Sequence, residues 1–138
     1  MAYTVKVDIV SAEKEIYSGS AEMIFATGVL GEMCIMPGHL QLLTFLKPGE
    51  VRLRVGEDKD EVFYISGGIL EVQPLQVTVL ADAAERAADL DEAQAEEAMR
   101  RAQQALSDKQ ADIDYATALS DLAQAAAQLR AIRKIREQ

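Results

Sequence analysis

The chain contains one cysteine, Cys34, and one histidine, His39, among 138 residues. A lone cysteine permits no intramolecular disulfide, which fits a reducing compartment, and the pair is too small for a zinc site built on His and Cys ligands. Cations are scarce as well: 14 Lys and Arg face 23 Asp and Glu, a formal charge of −9. That balance disfavours nucleic acid as the main partner, because such binding rests on basic contacts to phosphates. Long apolar runs are also missing. The longest stretch without Asp, Glu, Lys or Arg covers 33–46 and is broken by Pro37, Gly38 and His39. It falls short of the roughly 18 to 20 residues that span a bilayer. The first residues alternate in polarity and do not follow the basic-then-apolar order of a secretory signal.

What the chain does contain divides near residue 85, and the expected domains are 1–86 and 87–138. Every glycine and proline lies in the first part, between short β-patterned runs at 3–10, 15–18, 21–26, 32–36, 42–46, 50–55, 62–66, 69–72 and 76–80. In the first run Tyr3, Val5, Val7 and Ile9 share one face and Thr4, Lys6 and Asp8 the other, the alternation of a half-buried strand. Turn residues recur every 8 to 12 positions, at Gly28, Gly31, Pro37-Gly38, Pro48-Gly49, Gly56 and Gly67-Gly68. This punctuation predicts an antiparallel β-sandwich.

From Ala81 onward there is no glycine or proline, and 18 of 58 residues are alanine, the strongest helix former. One helix is predicted from Asp89, as its cap, to Leu106, and a second from about Asp112 to Arg136. The short connection over 107–112 makes them an antiparallel hairpin. Ala95, Ala98, Ala102 and Ala105 line one seam; Tyr115, Ala118, Leu122, Ala125, Leu129 and Ile132 line the other. Alanine buries little area, so this hairpin needs the sandwich or a partner for support and is expected to be a movable element.

Four groups of residues invite a functional reading. Cys34 and His39 together admit a nucleophile-and-base reading, but no third residue orients His39, and an alternating strand commonly holds a buried, inert thiol. Glu32 and His39 lie at opposite ends of one short run, where loop edges reach partners. Gly67-Gly68 lacks the lysine and following helix of a phosphate loop and reads as a hairpin or bulge. Finally, Arg130, Arg133, Lys134 and Arg136 form a basic cluster at the end of the second helix. Cations there complement the helix dipole and also suit an acidic docking surface.

Several segments in fixed order resemble one family: Asp8-Ile9-Val10-Ser11-Ala12-Glu13, Gly31-Glu32 with Pro37-Gly38-His39, Lys47-Pro48-Gly49, Ser66-Gly67-Gly68-Ile69-Leu70-Glu71-Val72, Val77-Thr78-Val79-Leu80-Ala81-Asp82 and Asp89-Leu90-Asp91-Glu92-Ala93. The family is the epsilon subunit of the bacterial F-type rotary ATP synthase. The resemblance implies a ten-stranded sandwich with a helical hairpin, and a non-catalytic rotor subunit of the central stalk, peripheral on the cytoplasmic face of the inner membrane. Its implied partners are the gamma subunit and the polar loops of the c-ring. By matching position, Gly31 and Glu32 would face the c-ring, and Ser11, His39 and Thr44 would face gamma. The hairpin of many members extends into the catalytic head between the alpha and beta subunits and blocks hydrolysis. The residues meeting beta would then be Arg130, Arg133, Lys134 and Arg136.

Members that hold ATP on the folded hairpin carry Ile/Leu-Asp-x-x-Arg-Ala, and this chain has Leu90-Asp91-Glu92-Ala93-Gln94-Ala95. Gln94 in place of arginine removes one charge-assisted contact, about 1.5 to 3 kcal/mol. With Asp91, Gln94, Arg100 and Arg101 as the candidate site, and Arg130 and Arg133 able to compensate, weak or absent ATP binding is expected and no cofactor. The alternative role is an ATP-sensing switch.

Overall fold

The computed structural model describes residues 3–107 and 112–136, the side chains of 112–115 excepted. Nine strands come first: β1 (Val5–Ser11), β2 (Glu15–Ala21), β3 (Met23–Gly28), β4 (Gly31–Ile35), β5 (Leu42–Gly56), β6 (Lys59–Ile65), β7 (Gly68–Val72), β8 (Gln76–Ala81) and β9 (Ala84–Arg86). A 3-10 turn (Ala87–Asp89) leads to two helices, α1 (Glu92–Ser107) and α2 (Asp112–Arg136). The β-sandwich and the helical hairpin are both present, with nine strands among the described residues where the resemblance implied ten. The connection over 108–111 and the side chain of Tyr115 lie outside the described residues.

β5 organises the sandwich. The prolyl and glycyl pair Pro48-Gly49 led the sequence reading to two strands at 42–46 and 50–55, but one strand of 15 residues runs through both. Its first half pairs with β7 (Leu42↔Val72 to Leu46↔Gly68) and its second half with β6 and β3. The registers leave Lys47 and Pro48 between the two ladders, where a residue without an N–H forfeits nothing. The two halves belong to two layers, β2-β1-β8-β7-β5 and β9-β6-β5-β3-β4. β9, only three residues long, gave no periodic signal in the sequence.

Two expectations change. β1 and β8 are parallel neighbours (Lys6↔Gln76 to Ser11↔Ala81), so the sheet is mixed; parallel partners need a long connection, and here it is most of the sandwich. Gly67-Gly68 closes no hairpin, because β6 and β7 each pair with β5 and not with one another. It carries the chain between layers, with φ of +123° and +150°.

The inner faces follow the alternation. Val5, Val7 and Ile9 of β1 are fully buried, with Ile24, Leu53, Phe63, Leu70, Val77 and Val79 in the same core. In β6 all of 62–65 is buried, since Phe63 and Ile65 point inward and Val62 and Tyr64 lie under α2. There Ala127 and Ala131, with Ala87 and the partly buried Leu90 and Ile135, form a second small cluster.

α1 begins at Glu92, not near Asp89. The 3-10 turn holds Asp89, Leu90 is extended (φ −75°, ψ 138°) with its side chain against the second cluster, and Asp91 becomes the cap. Its Oδ1 accepts the Gln94 N–H at 3.2 Å. Of the α1 seam Ala95 and Ala102 are buried and Ala98 half-buried, whereas Ala105 is exposed. On α2 Ala118, Ala125, Leu129 and Ile132 are buried and Leu122 is half-buried.

Candidate functional site

The end of α2 folds down onto the tip of the sandwich. Arg130, Arg133 and Lys134, with Thr27, Gly31 and Glu32 of the β3–β4 hairpin and Lys47 and Glu50 of β5, surround a cavity of about 490 Å³. Residues assigned to two different partners by resemblance are thus brought together. Arg136 points elsewhere and pairs with Glu92 at the start of α1, tying the two helix ends. Among the described residues no carboxylate lies within 4 Å of Lys47, Arg130, Arg133 or Lys134.

Glu50 forms part of the wall. Burial pushes its carboxyl above the ordinary value, Lys134, Arg52 and Arg130 oppose this, and Glu32 adds to it. Its Oε2 is buried without a hydrogen-bond partner, as is the Nε of Arg52. The Arg52 guanidinium lies 4.0 Å over the Phe25 ring and donates to Asp60 at 2.9 Å, so a cation–π contact and an ion pair fix it.

Gly31 and Glu32 are exposed beside Leu30, which is 97% exposed, so the hairpin tip offers an apolar residue next to a carboxylate. The gamma-facing candidates are dispersed. Ser11 ends β1 and forms a turn with Lys14 through its N–H and Oγ. Thr44 occupies an inward register position of β5, between the half-buried Leu42 and the buried Leu46. His39 lies in the β4–β5 loop, where its Nδ1 donates to the Leu40 carbonyl at 2.6 Å. Sequence reasoning missed the surface beside them. Val10, Leu80, Ile69 and Phe45 are consecutive cross-strand partners over four strands, and their parity opposes that of the core. Phe45 and Leu43 are exposed, as is Leu80. The signal was present: in 42–46 apolar residues occupy both parities, so both faces of that strand are apolar.

The ATP candidates also separate. Arg100 and Arg101 share Glu97, at 2.7 Å and 3.8 Å, which holds the Glu97 carboxyl below its ordinary value, chiefly through the Arg100 hydrogen bond. Arg101 alone of the four lines the groove of about 640 Å³ between the helices, with Ala98, Ala102, Asp121, Gln124 and Gln128. Asp91 and Gln94 are engaged in the cap.

Cys34 is exposed on β4, not buried as its strand position predicted. Its residue has outward parity on a short strand whose inward residue is Ile35. His39 is occupied by its own loop, and neither residue bonds the other. What these surfaces offer is docking by charged and apolar groups.

A sandwich with a hairpin folded on one face and an uncovered apolar rung on the other is a binding protein that belongs in an assembly. The comparisons agree. The β-sandwich domain of the ATP synthase delta/epsilon chain matches residues 4–87, and its long α-helix domain matches 88–133. The ATP synthase epsilon chain of Nitrosococcus oceani is 58% identical over 99% of this chain and 98% of its own length. That of Thioalkalivibrio sulfidiphilus is 59% identical over 99% and 97%. The chain belongs to the ATP synthase epsilon chain family, whose members are stalk subunits and not the catalytic ones. Among solved structures, a chain of the Euglena gracilis mitochondrial ATP synthase superposes with a TM-score of 0.82 at 17% identity, covering 98% of this chain and 82% of that one. A chain of the Tetrahymena thermophila mitochondrial ATP synthase central stalk and c-ring structure gives 0.63 at 16%, covering 94% and 97%. Both share the fold. Among the described residues no helix is long and apolar enough to cross a membrane.

Proposed function

We propose that this subunit couples c-ring rotation to the catalytic head through gamma, from the cytoplasmic face of the bacterial inner membrane, and that its hairpin inhibits ATP hydrolysis when it leaves the sandwich. The observation that carries this reading is the asymmetry of the two outer faces. One is covered by α2 through small residues, Ala127 and Ala131 on Val62 and Tyr64. The other presents the rung of Val10, Leu80, Ile69 and Phe45, a surface suited to a permanent apolar partner such as gamma. The exposed tip at Leu30, Gly31 and Glu32 would rest on the c-ring loops. A cover made of alanines gives up little area on release, so differential contact of a few kcal/mol moves the hairpin between two seats. In the second seat Arg130, Arg133, Lys134 and Arg136 would meet an acidic surface of beta beside alpha.

The test is ATP hydrolysis by the assembled catalytic complex, gamma included, with the full chain or with one ending at Asp89. Released activity with the shortened subunit still bound to gamma is the expected result. Unchanged hydrolysis would make the hairpin a passive appendage.

A second reading, an ATP-gated switch, is favoured by the groove that Arg101 lines. It predicts that Gln94→Arg tightens a weak ATP affinity in calorimetry. Failure of that variant to bind better removes it.

A further inference from the structure

We propose that the cavity between Lys47 and the end of α2 is a binding site for a phosphate-class oxyanion, which staples the hairpin to the sandwich. The chain has eight arginines, and six of them, Arg52, Arg54, Arg86, Arg100, Arg101 and Arg136, have a carboxylate within 4 Å. Among the described residues the two that do not, Arg130 and Arg133, line this one cavity with Lys134 and Lys47. On a chain of formal charge −9, four cations stand together with no carboxylate of the described residues within 4 Å, while the other arginines are paired, and this favours an anion from outside. Guanidinium groups match phosphate oxygens in a planar fork, and the two lysines add point charges. The volume of about 490 Å³ exceeds a single phosphate and admits a diphosphate.

Two carboxylates also face the cavity, and they shape its behaviour. Glu32 is exposed at the rim. Glu50 lies in the wall, where Lys134 and Arg130 of α2, Arg52 and Lys47 of its own strand, Glu32 of β4 and its cross-strand partner Tyr64 of β6 surround it. Its buried Oε2 has no partner, and burial raises its affinity for a proton. A protonated Glu50 donates to an oxyanion, whereas an ionised one repels it. Oxyanion binding therefore takes up a proton and tightens as the solution becomes more acidic.

The staple follows from where the cations sit. Lys47 belongs to the sandwich, and Arg130, Arg133 and Lys134 belong to the hairpin. An anion touching both holds α2 down, in a place separate from the inter-helix groove of Arg101.

Pyrophosphate titrated calorimetrically into the full chain at low ionic strength tests the site. Saturable binding is expected, weakened about tenfold by Lys47→Gln and by Lys134→Gln and unchanged by Arg100→Gln. Hydrogen exchange along α2 should slow with pyrophosphate in the native chain and not in Lys47→Gln, whose substitution lies off the hairpin. Sulfate, which does not itself titrate in this range, should bind more tightly as the pH is lowered from neutrality towards the ordinary carboxylate range, and Glu50→Gln should abolish that gain. ATP in parallel separates the sources: equal affinity assigns the site to inorganic phosphate groups, and tighter binding lost in Lys47→Gln assigns it to a nucleotide's phosphate tail. Absence of saturation, an effect reproduced by sodium chloride at matched ionic strength, or equal loss in Arg100→Gln would overturn the proposal.

Discussion

Gly68 passes so close to the Leu80 carbonyl oxygen that a side-chain carbon at position 68 would lie well inside contact distance of that oxygen and of the Ala81 Cα. Its φ of +150° is also one that side-chain-bearing residues avoid. This is where the chain enters β7 after leaving the other layer, so the contact sits at the seam of the sandwich. Gly68→Ala should cost about 2 to 3 kcal/mol of stability, read as a lower denaturant midpoint with an unchanged slope. Gly56, with open space around it and no positive φ, should accept alanine at little cost.

Asp60 accepts hydrogen bonds from Arg54 and Arg52, and these hold its carboxyl below the ordinary value against the opposing effect of burial. A depressed carboxyl contributes stability that is present above its unfolded value and lost as the pH falls through its folded one. Asp8, held low chiefly by Ser18 and also by Gln76, adds to the same trend. Asp60→Asn should cost about 1 kcal/mol at neutral pH, since Arg54 is partly screened by solvent, and should flatten the loss of stability below about pH 4. Midpoints measured across that range decide it.

Ala127 is fully buried against the β6 side chains Val62 and Tyr64. Ala127→Glu would bury an unpaired carboxylate there, a cost of several kcal/mol that the hairpin avoids by leaving the sandwich. Hydrogen exchange in α2 should accelerate while the protection of β1, β7 and β8 persists. Ala123→Glu, on the exposed side of the same helix, should change neither. Loss of strand protection along with α2 would show that the two parts unfold as one unit.

Asp91 caps α1 through the Gln94 N–H. Asp91→Ala should weaken the start of α1 by about 1 kcal/mol, and Asp91→Ser should restore most of it. Helicity by circular dichroism and local exchange at 92–95 report the effect. Asp89→Ala should leave α1 unchanged, because Asp89 lies in the preceding 3-10 turn.

Much of this architecture was legible in the residues. Val5, Val7 and Ile9 alternate because one face of β1 meets the core, and the glycine-free, alanine-rich end can only be helical. The hidden parts depend on contacts distant in sequence. Pro48 reads as a break because proline cannot join a ladder, yet β5 changes partners there and needs no N–H. Asp89 reads as a cap by residue type, but docking of Leu90 moves the helix start to Glu92. The apolar rung from Val10 to Phe45 appears only when four strands are placed side by side.

The residues alone gave the two kinds of secondary structure, their order, the inward face of β1 and the family, because periodicity, turn chemistry and helix propensity act over a few neighbouring residues. Only the tertiary structure decided which strands became neighbours, that α2 covers β6 while the opposite layer stays bare, and that Arg130, Arg133 and Lys134 meet Lys47, Glu32 and Glu50 around one cavity. The reason is separation along the chain: Lys47 and Arg130 face each other across a gap that more than eighty intervening residues close, and local preference carries no information over that distance.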